Sequence, residues 1–224
     1  VTMAFIDIGI RQGSDVHARR APLYERGGKR VFDLAVSLAL LPLILPVIIV
    51  LYCLVASTGQ GGLYAHPRIG RAGKVFRCWK IRTMVPDAQA ALPAILLARP
   101  DRALEWALYQ KLTKDPRVIP GGHFLRRTGL DELPQIWNVL RGDMSLVGPR
   151  PVTRAELHSY GDARHAYQRV RPGITGLWQV SGRGILLFAE RASLDERYAR
   201  QPSFMGDLKI IARTLPVLLR PTGY

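Results

Sequence analysis

The chain has 224 residues, 48% of them hydrophobic, enough for one domain with its own core and too short for two full catalytic domains. That apolar content, with 21 Gly and 16 Pro, excludes a disordered or collagen-like chain. Against 17 Asp+Glu stand 32 Lys+Arg, a net charge of +15, so the preferred partners are anionic: nucleic acid, anionic lipid or phosphorylated small molecules. Cys53 and Cys78 make neither a disulfide framework nor a CxxC pair, which favours a reducing compartment.

Residues 1–28 mix charge with Gly13, Gly27 and Gly28 and read as a flexible basic leader. From Leu34 to Ala56 the chain carries no charge; as a helix this run is about 34 Å long, the thickness of a membrane. It starts too far into the chain and is too long for a signal peptide. Pro42 and Pro46, each removing a backbone donor, predict a break near its midpoint. Both flanks are basic: Arg19, Arg20, Arg26, Lys29 and Arg30 before, Arg68, Arg71, Lys74, Arg77, Lys80 and Arg82 after. The positive-inside rule puts both flanks in the cytoplasm, which a straight span cannot satisfy. A re-entrant helix, break, helix hairpin over 29–57 satisfies it, with Ser37 or packed protein meeting the freed carbonyls. A kinked true span and a buried core helix are the competing readings.

Glycine-punctuated alternation over 59–84 predicts a small β-hairpin. Residues 87–112 read as helix interrupted by Pro93 and Pro100. Leu133, Ile136, Trp137 and Leu140 form the apolar stripe of a helix, with Asp131 just ahead of it and Pro134 in its first turn. Residues 154–168 and 187–199 also read as helical. Phe204 to Leu219 mixes Lys209 and Arg213 with large aliphatics, which suits either a helix in the membrane interface or an amphipathic core helix.

Arginines and lysines recur beside turn residues. Lys80 and Arg82 lie in KIRTM, Arg126 and Arg127 before LDELPQ, Arg150 in GPRP, Arg171 in RPG and Arg183 in SGR. A guanidinium restrained by flanking prolines, as Arg150 is, loses little entropy on clamping a phosphate, and the set suits a pyrophosphate-sized anion. Asp131 and Glu132 sit at a predicted helix start, where dipole and free amides predict a low carboxylate pKa. An aspartate beside a divalent cation can attack phosphorus; a plain helix cap is the competing role. GRAGK is too short for a Walker A loop, and HExxH, zinc spacing and GxSxG are missing from the sequence.

The segments KRVFDLAVS (29–37), HPRIGRAGKVFRCWKIRTM (66–84), LTKDPRV (112–118), LDELPQIWNVLRGDMSLVGPRP (130–151) and RPGITGLWQVSGR (171–183) together resemble the bacterial sugar transferases, monotopic phosphoglycosyl transferases acting on polyprenyl phosphate. FRCWKIRTM, TGLWQVSGR and the ending TGY look most like the exopolysaccharide-production members that begin with galactose. The resemblance implies an α+β, mostly helical chain: a re-entrant membrane hairpin, a small β-hairpin and amphipathic interfacial helices around an active site on the cytoplasmic face of the bacterial inner membrane, with 58–224 as the catalytic domain. It implies Asp131 as nucleophile on the β-phosphorus of a UDP-sugar, releasing UMP before undecaprenyl phosphate collects the sugar phosphate. Glu132 would act with Asp131 in holding Mg²⁺ or accept a proton, and Lys80, Arg126, Arg150 and Arg183 match phosphate-contacting positions. Membrane lipids are expected partners, a homodimer is compatible, and nucleic acid is not expected. Two departures stand out: Leu45-Pro46 replaces a frequent Ser-Pro at the helix break, and His66 replaces a frequent Gln. Galactose against glucose rests on one hydroxyl. The alternatives from other classes are a membrane-tethered nucleic-acid binder and a lipid-binding scaffold.

Overall fold

The computed structural model describes residues 23–59, 61–182 and 186–219. A π-helical turn, Tyr24–Gly28, runs directly into α1 (Lys29–Ala56). The expected leader therefore lies outside the described residues only as far as residue 22; its last residues are helical and tied down. The helix continues through Pro42 and Pro46, so the expected interruption does not occur in the secondary structure. Ser37 is fully buried, but among the described residues its hydroxyl has no hydrogen-bond partner and so caps no freed carbonyl there.

After α1, strands β1 (Leu63–Ile69) and β2 (Val75–Ile81) form the expected antiparallel hairpin, with Tyr64 opposite Lys80 and His66 opposite Cys78. Helices α2 (Ala88–Ala98) and α3 (Pro100–Tyr109) follow. Pro100 opens the second of them, where its missing N–H costs nothing, whereas Pro93 stays inside the first. Next come α4 (Gly122–Thr128), a 3₁₀ turn at Leu130–Glu132 and α5 (Gln135–Arg141). Strand β3 (Ser145–Val147) pairs in parallel with β4 (Gly173–Thr175). Between them, the single helix expected over 154–168 is two, α6 (Arg154–His158) and α7 (Ala163–Tyr167), parted by a turn at Gly161 with φ +53°. Helices α8 (Leu177–Ser181), α9 (Phe188–Arg200) and α10 (Phe204–Leu219) complete the described chain.

The central core gathers Phe76 and Cys78 of β2, Ile136 and Val139 of α5, Leu146 and Val147 of β3, Tyr198 of α9 and Ile210 of α10, and Phe32, Val36, Leu41, Ile44 and Ile48 of α1 pack against it. A second cluster joins Val55 of α1 to Ile81, Ile119 and Leu125, with Leu51 alongside. One stripe of α1 thus meets the globular body from its first turns to its last, while Val31, Leu38, Leu43, Leu45, Val47, Ile49, Val50 and Leu54 face outward. Tyr24–Ala56 is long and apolar enough to cross a membrane. In α10, Asp207 and Ile210 point inward and Phe204, Leu208 and Leu215 outward, an exposed apolar ridge of the kind an interfacial helix carries.

Polar bonds fix how α1 docks. Asp207, fully buried, accepts hydrogen bonds from Tyr24 Oη (2.6 Å), Lys29 Nζ (2.5 Å) and Tyr198 Oη (2.8 Å). Asp33 Oδ1 accepts from Ser145 Oγ and the Leu146 amide, both at 3.0 Å. Arg30 donates to the carbonyls of Val139 and Leu140 at the end of α5.

Replacing Asp33 with Ala strands the buried Leu146 amide, and a loss of about 1–3 kcal/mol is expected in chemical denaturation; an unchanged midpoint would show that β3 does not rely on α1. Asp195 gives a pH-dependent expectation. It is fully buried, Tyr160 Oη donates to its Oδ2 at 2.9 Å, and burial pushes its carboxyl up to about 8 despite that bond. The folded state therefore holds a proton that the unfolded chain sheds near 3.8, so this group's contribution to stability falls as pH rises from 4 to 8. Asp195→Asn should gain on the wild type across that window in urea midpoints. A flat difference would mean that Asp195 stays charged in the fold.

Candidate active site

The acid pair is placed by the geometry around Gly129. This residue ends α4 with φ +74°, a conformation favoured by glycine, and turns the chain into the 3₁₀ segment that carries Asp131 and Glu132. Leu133 and Pro134 keep helical dihedrals, so the backbone winds on into α5. The acids precede the helix proper, and no side-chain cap bond is made at either helix start. Asp131 is thus not a cap.

Asn138, buried in α5, fixes this segment against the hairpin: its Oδ1 accepts from the Trp79 amide at 3.0 Å and its Nδ2 donates to the Arg77 carbonyl at 2.7 Å. The next residue of β2, Lys80, is thereby held over the acids. Its Nζ lies 2.6 Å from Glu132 Oε1 and 4.0 Å from Asp131 Oδ2. Arg150 Nη1 reaches the same Glu132 oxygen at 3.3 Å. The loop carrying Arg150 is held by backbone contact between the two short strands, with Gly148 N bonding Thr175 O at 2.9 Å and Gly173 N bonding Pro149 O at 2.8 Å. A Cβ on Gly173 would stand 2.1 Å from Gly148 N, so only glycine permits this approach. Trp178 stacks beneath, with the guanidinium carbons of Arg150 and Arg191 5.9 and 5.0 Å from its ring.

Asp131 has 7% of its side chain exposed. Burial raises its carboxyl to about 6; Lys80 opposes this, Glu132 reinforces it, and Arg126 and Arg150 oppose it further. The low pKa expected from the sequence is thus overturned, because desolvation outweighs the cations and the acid does not sit at an α-helix N-terminus. Four of the expected site residues, Lys80, Asp131, Glu132 and Arg150, come together, and Arg126 acts on the Asp131 charge. Arg183 lies outside the described residues.

Lys80, Glu132 and Arg150 line a shallow cleft with Arg68, Cys78, Gln135, Pro151 and Ile174. Arg68, read from the sequence only as flanking charge, is held by Glu156 Oε2 at 2.7 Å; it and Cys78 share a hairpin face with Lys80, which strand alternation could have revealed. Burial raises the Cys78 thiol, leaving it protonated and a poor competing nucleophile. His66, held neutral by burial and then by Arg68, is lowered to about 4. The expected stripe was wrong at Trp137, which is 55% exposed, while the polar Gln135 and Asn138 turn inward.

Among the described residues, no group of three or more His, Cys, Asp or Glu can hold a metal. The adjacent carboxylates of Asp131 and Glu132 are nevertheless hard oxygen donors, a set that fits Mg²⁺ when water and substrate phosphates complete its shell.

A family model described as bacterial sugar transferase matches residues 24–221. The chain is 44% identical over 195 residues to the "UDP-galactose-lipid carrier transferase" of Erwinia amylovora, covering 87% of this chain and 41% of that protein. It is 44% identical over 197 residues to the "Exopolysaccharide production protein ExoY" of Rhizobium meliloti, covering 87% of each. With the "Undecaprenyl-phosphate glucose phosphotransferase" of Komagataeibacter xylinus it shares 38% over 199 residues, 84% of this chain and 35% of the relative. The chain thus spans about two fifths of the length of several of the curated relatives it matches. With the family model covering nearly all of the described residues, the chain belongs to the bacterial sugar transferase family.

Proposed function

We propose that this chain transfers a hexose 1-phosphate from a UDP-sugar to undecaprenyl phosphate, as the first membrane step of exopolysaccharide synthesis. The observation that carries the reading is the buried Asp131 carboxyl beside Lys80, with Glu132 bridging Lys80 and Arg150 at the cleft. Relatives named for UDP-galactose-lipid carrier and undecaprenyl-phosphate galactose transfer support the substrate class and favour galactose, and the one named ExoY supports exopolysaccharide production. The glucose-named relative keeps UDP-glucose as a second donor reading.

In the proposed first step an Asp131 Oδ attacks the β-phosphorus. A carboxylate oxygen to phosphorus bond forms, the bridging phosphorus–oxygen bond of the diphosphate breaks, and UMP departs with the electron pair. In the second step a phosphate oxygen of undecaprenyl phosphate attacks the same phosphorus; the Asp131 linkage breaks and the carboxylate is restored. Lys80, Arg126 and Arg150 neutralise the negative charge that gathers in both steps, where positioning and electrostatics do most of the work. Asp131 and Glu132 would hold Mg²⁺, which when bound supplies further charge neutralisation on the diphosphate. Since Glu132 already engages Lys80 and Arg150, arriving phosphate oxygens would compete for cations that are in place, so little reorganisation is required.

The reading puts α1 in the inner membrane without crossing it, both ends on the cytoplasmic side. Contact of its first and last turns with the same globular body supports this, as do the basic residues on both sides of the apolar run.

Asp131→Asn should lower UMP release from UDP-galactose by about a thousandfold or more, with thermal stability kept. Full activity would remove Asp131 from the nucleophile role. With the wild type under rapid quench, intact mass should rise by one hexose phosphate when acceptor is withheld, and an unmodified mass would favour direct transfer.

A further inference from the structure

Gln135 is only 1% exposed and lines the cleft, yet among the described residues neither its Oε1 nor its Nε2 meets a hydrogen-bonding group of the protein. A buried primary amide without partners is costly, since each stranded donor or acceptor loses its water without recompense. Nearby Asn138, with the same functional group, is fully engaged by the backbone of Arg77 and Trp79. The cost at Gln135 is therefore a local feature of the cleft wall.

The chemistry of the amide narrows what it can meet. Phosphate oxygens offer acceptors only; they would satisfy Nε2 and oppose Oε1, and the cleft already presents Arg68, Lys80 and Arg150 to them. A hydroxyl both donates and accepts, so one hydroxyl or a vicinal pair satisfies both ends of the amide. Position then selects between sugar and base. The backbone is helical from Leu130 through α5, which puts Gln135 about one turn beyond Asp131. The hexose hydroxyls lie next to the phosphorus that Asp131 would attack, whereas the uracil is set off by the ribose and the second phosphate.

We propose that the Gln135 carboxamide reads a hydroxyl of the hexose being transferred and so helps set sugar specificity. This rests on the phosphosugar-transfer reading given above. A site built to bond a hydroxyl rejects an analogue that lacks it, because its buried polar groups are then left unpaired.

The test uses the full chain in lipid nanodiscs with undecaprenyl phosphate, comparing wild type and Gln135→Met on UDP-galactose and its 2-, 3-, 4- and 6-deoxy analogues. Methionine keeps length and volume while removing the polar ends, so thermal stability should be equal or higher. For UDP-galactose, kcat/KM should fall about 10- to 100-fold, and for one deoxy donor the same substitution should change it less than about threefold, cancelling the loss in a double-mutant cycle. Equal losses on every deoxy donor, cancellation only with a base-modified donor such as N3-methyl-UDP-galactose, unchanged kinetics, or loss of activity in step with loss of stability would each overturn the assignment. A second readout separates this inference from the reaction it rests on: the thermal shift induced by UDP-galactose in Asp131→Asn. If the wild type shows no turnover but the shift in Asp131→Asn depends on Gln135 and on one sugar hydroxyl, only the transfer reading falls. A shift indifferent to Gln135 sinks the inference even where turnover is confirmed.

Discussion

The docking of α1 depends on a few buried carboxylates that receive it. An apolar helix gains nearly the same free energy in many orientations, because hydrophobic contact is non-directional. Asp207 removes that freedom by taking hydrogen bonds from Tyr24 and Lys29 on the helix side and Tyr198 on the other, and Asp33 does so from within α1 by binding the start of β3. Such charges add little net stability once desolvation is counted. Their value here is geometric: the single hydroxyl proton of Tyr198 is shared between Asp207 and the Val147 carbonyl, so the same node that seats the helix adjoins β3, and β3 leads directly into the loop that carries Arg150.

A second balance governs the acid pair. Both carboxylates sit in one short turn, but burial and cations are shared unequally between them. Glu132 faces Lys80 and Arg150 at hydrogen-bonding distances, while Asp131, more deeply enclosed, has Lys80 only at 4.0 Å. Lys80 and Arg150 are thus assembled by Glu132, and among the described residues Asp131 has only the longer Lys80 contact. A nucleophile clamped in a tight pair would have to break that pair before attacking. Under the proposed reaction, Glu132 organises charge for the incoming diphosphate and Asp131 keeps its oxygen available.

How much of this was legible in the sequence follows from what each signal measures. The hairpin, the division at Pro100 and the amphipathic α10 were readable because alternation, imino-acid stereochemistry and helical periodicity are local. The fold brings together Lys80, Asp131, Glu132 and Arg150, which stood out in the sequence because each belongs to a motif rich in turn residues or charge. Burial was not legible: it reversed the expected pKa of Asp131, and it turned Gln135 and Asn138 inward where an apolar stripe put Trp137. Strands β3 and β4, three residues each, are too short for a period to register. The prolines of α1 misled differently, since each marks a missing donor but says nothing about whether the rest of the helix can carry on around it.

That continuity bears on the membrane. A helix of 28 residues is about 42 Å long, more than the hydrocarbon core is thick. For a straight crossing, the residues at its two ends would emerge on opposite sides. Yet Phe32 near one end and Val55 near the other pack on the same globular body, the first against the cluster around Ile210 and the second against Ile81 and Leu125. To cross, α1 would have to carry into the bilayer the hairpin and α5 that lie along it, together with Lys80, Glu132 and Arg150. The transfer cost of that charged assembly far exceeds what the exposed leucines and valines of one helix face can offset. A segment immersed by its outer stripe alone escapes this cost, and under the proposed reaction that arrangement would set the cleft beside the lipid surface.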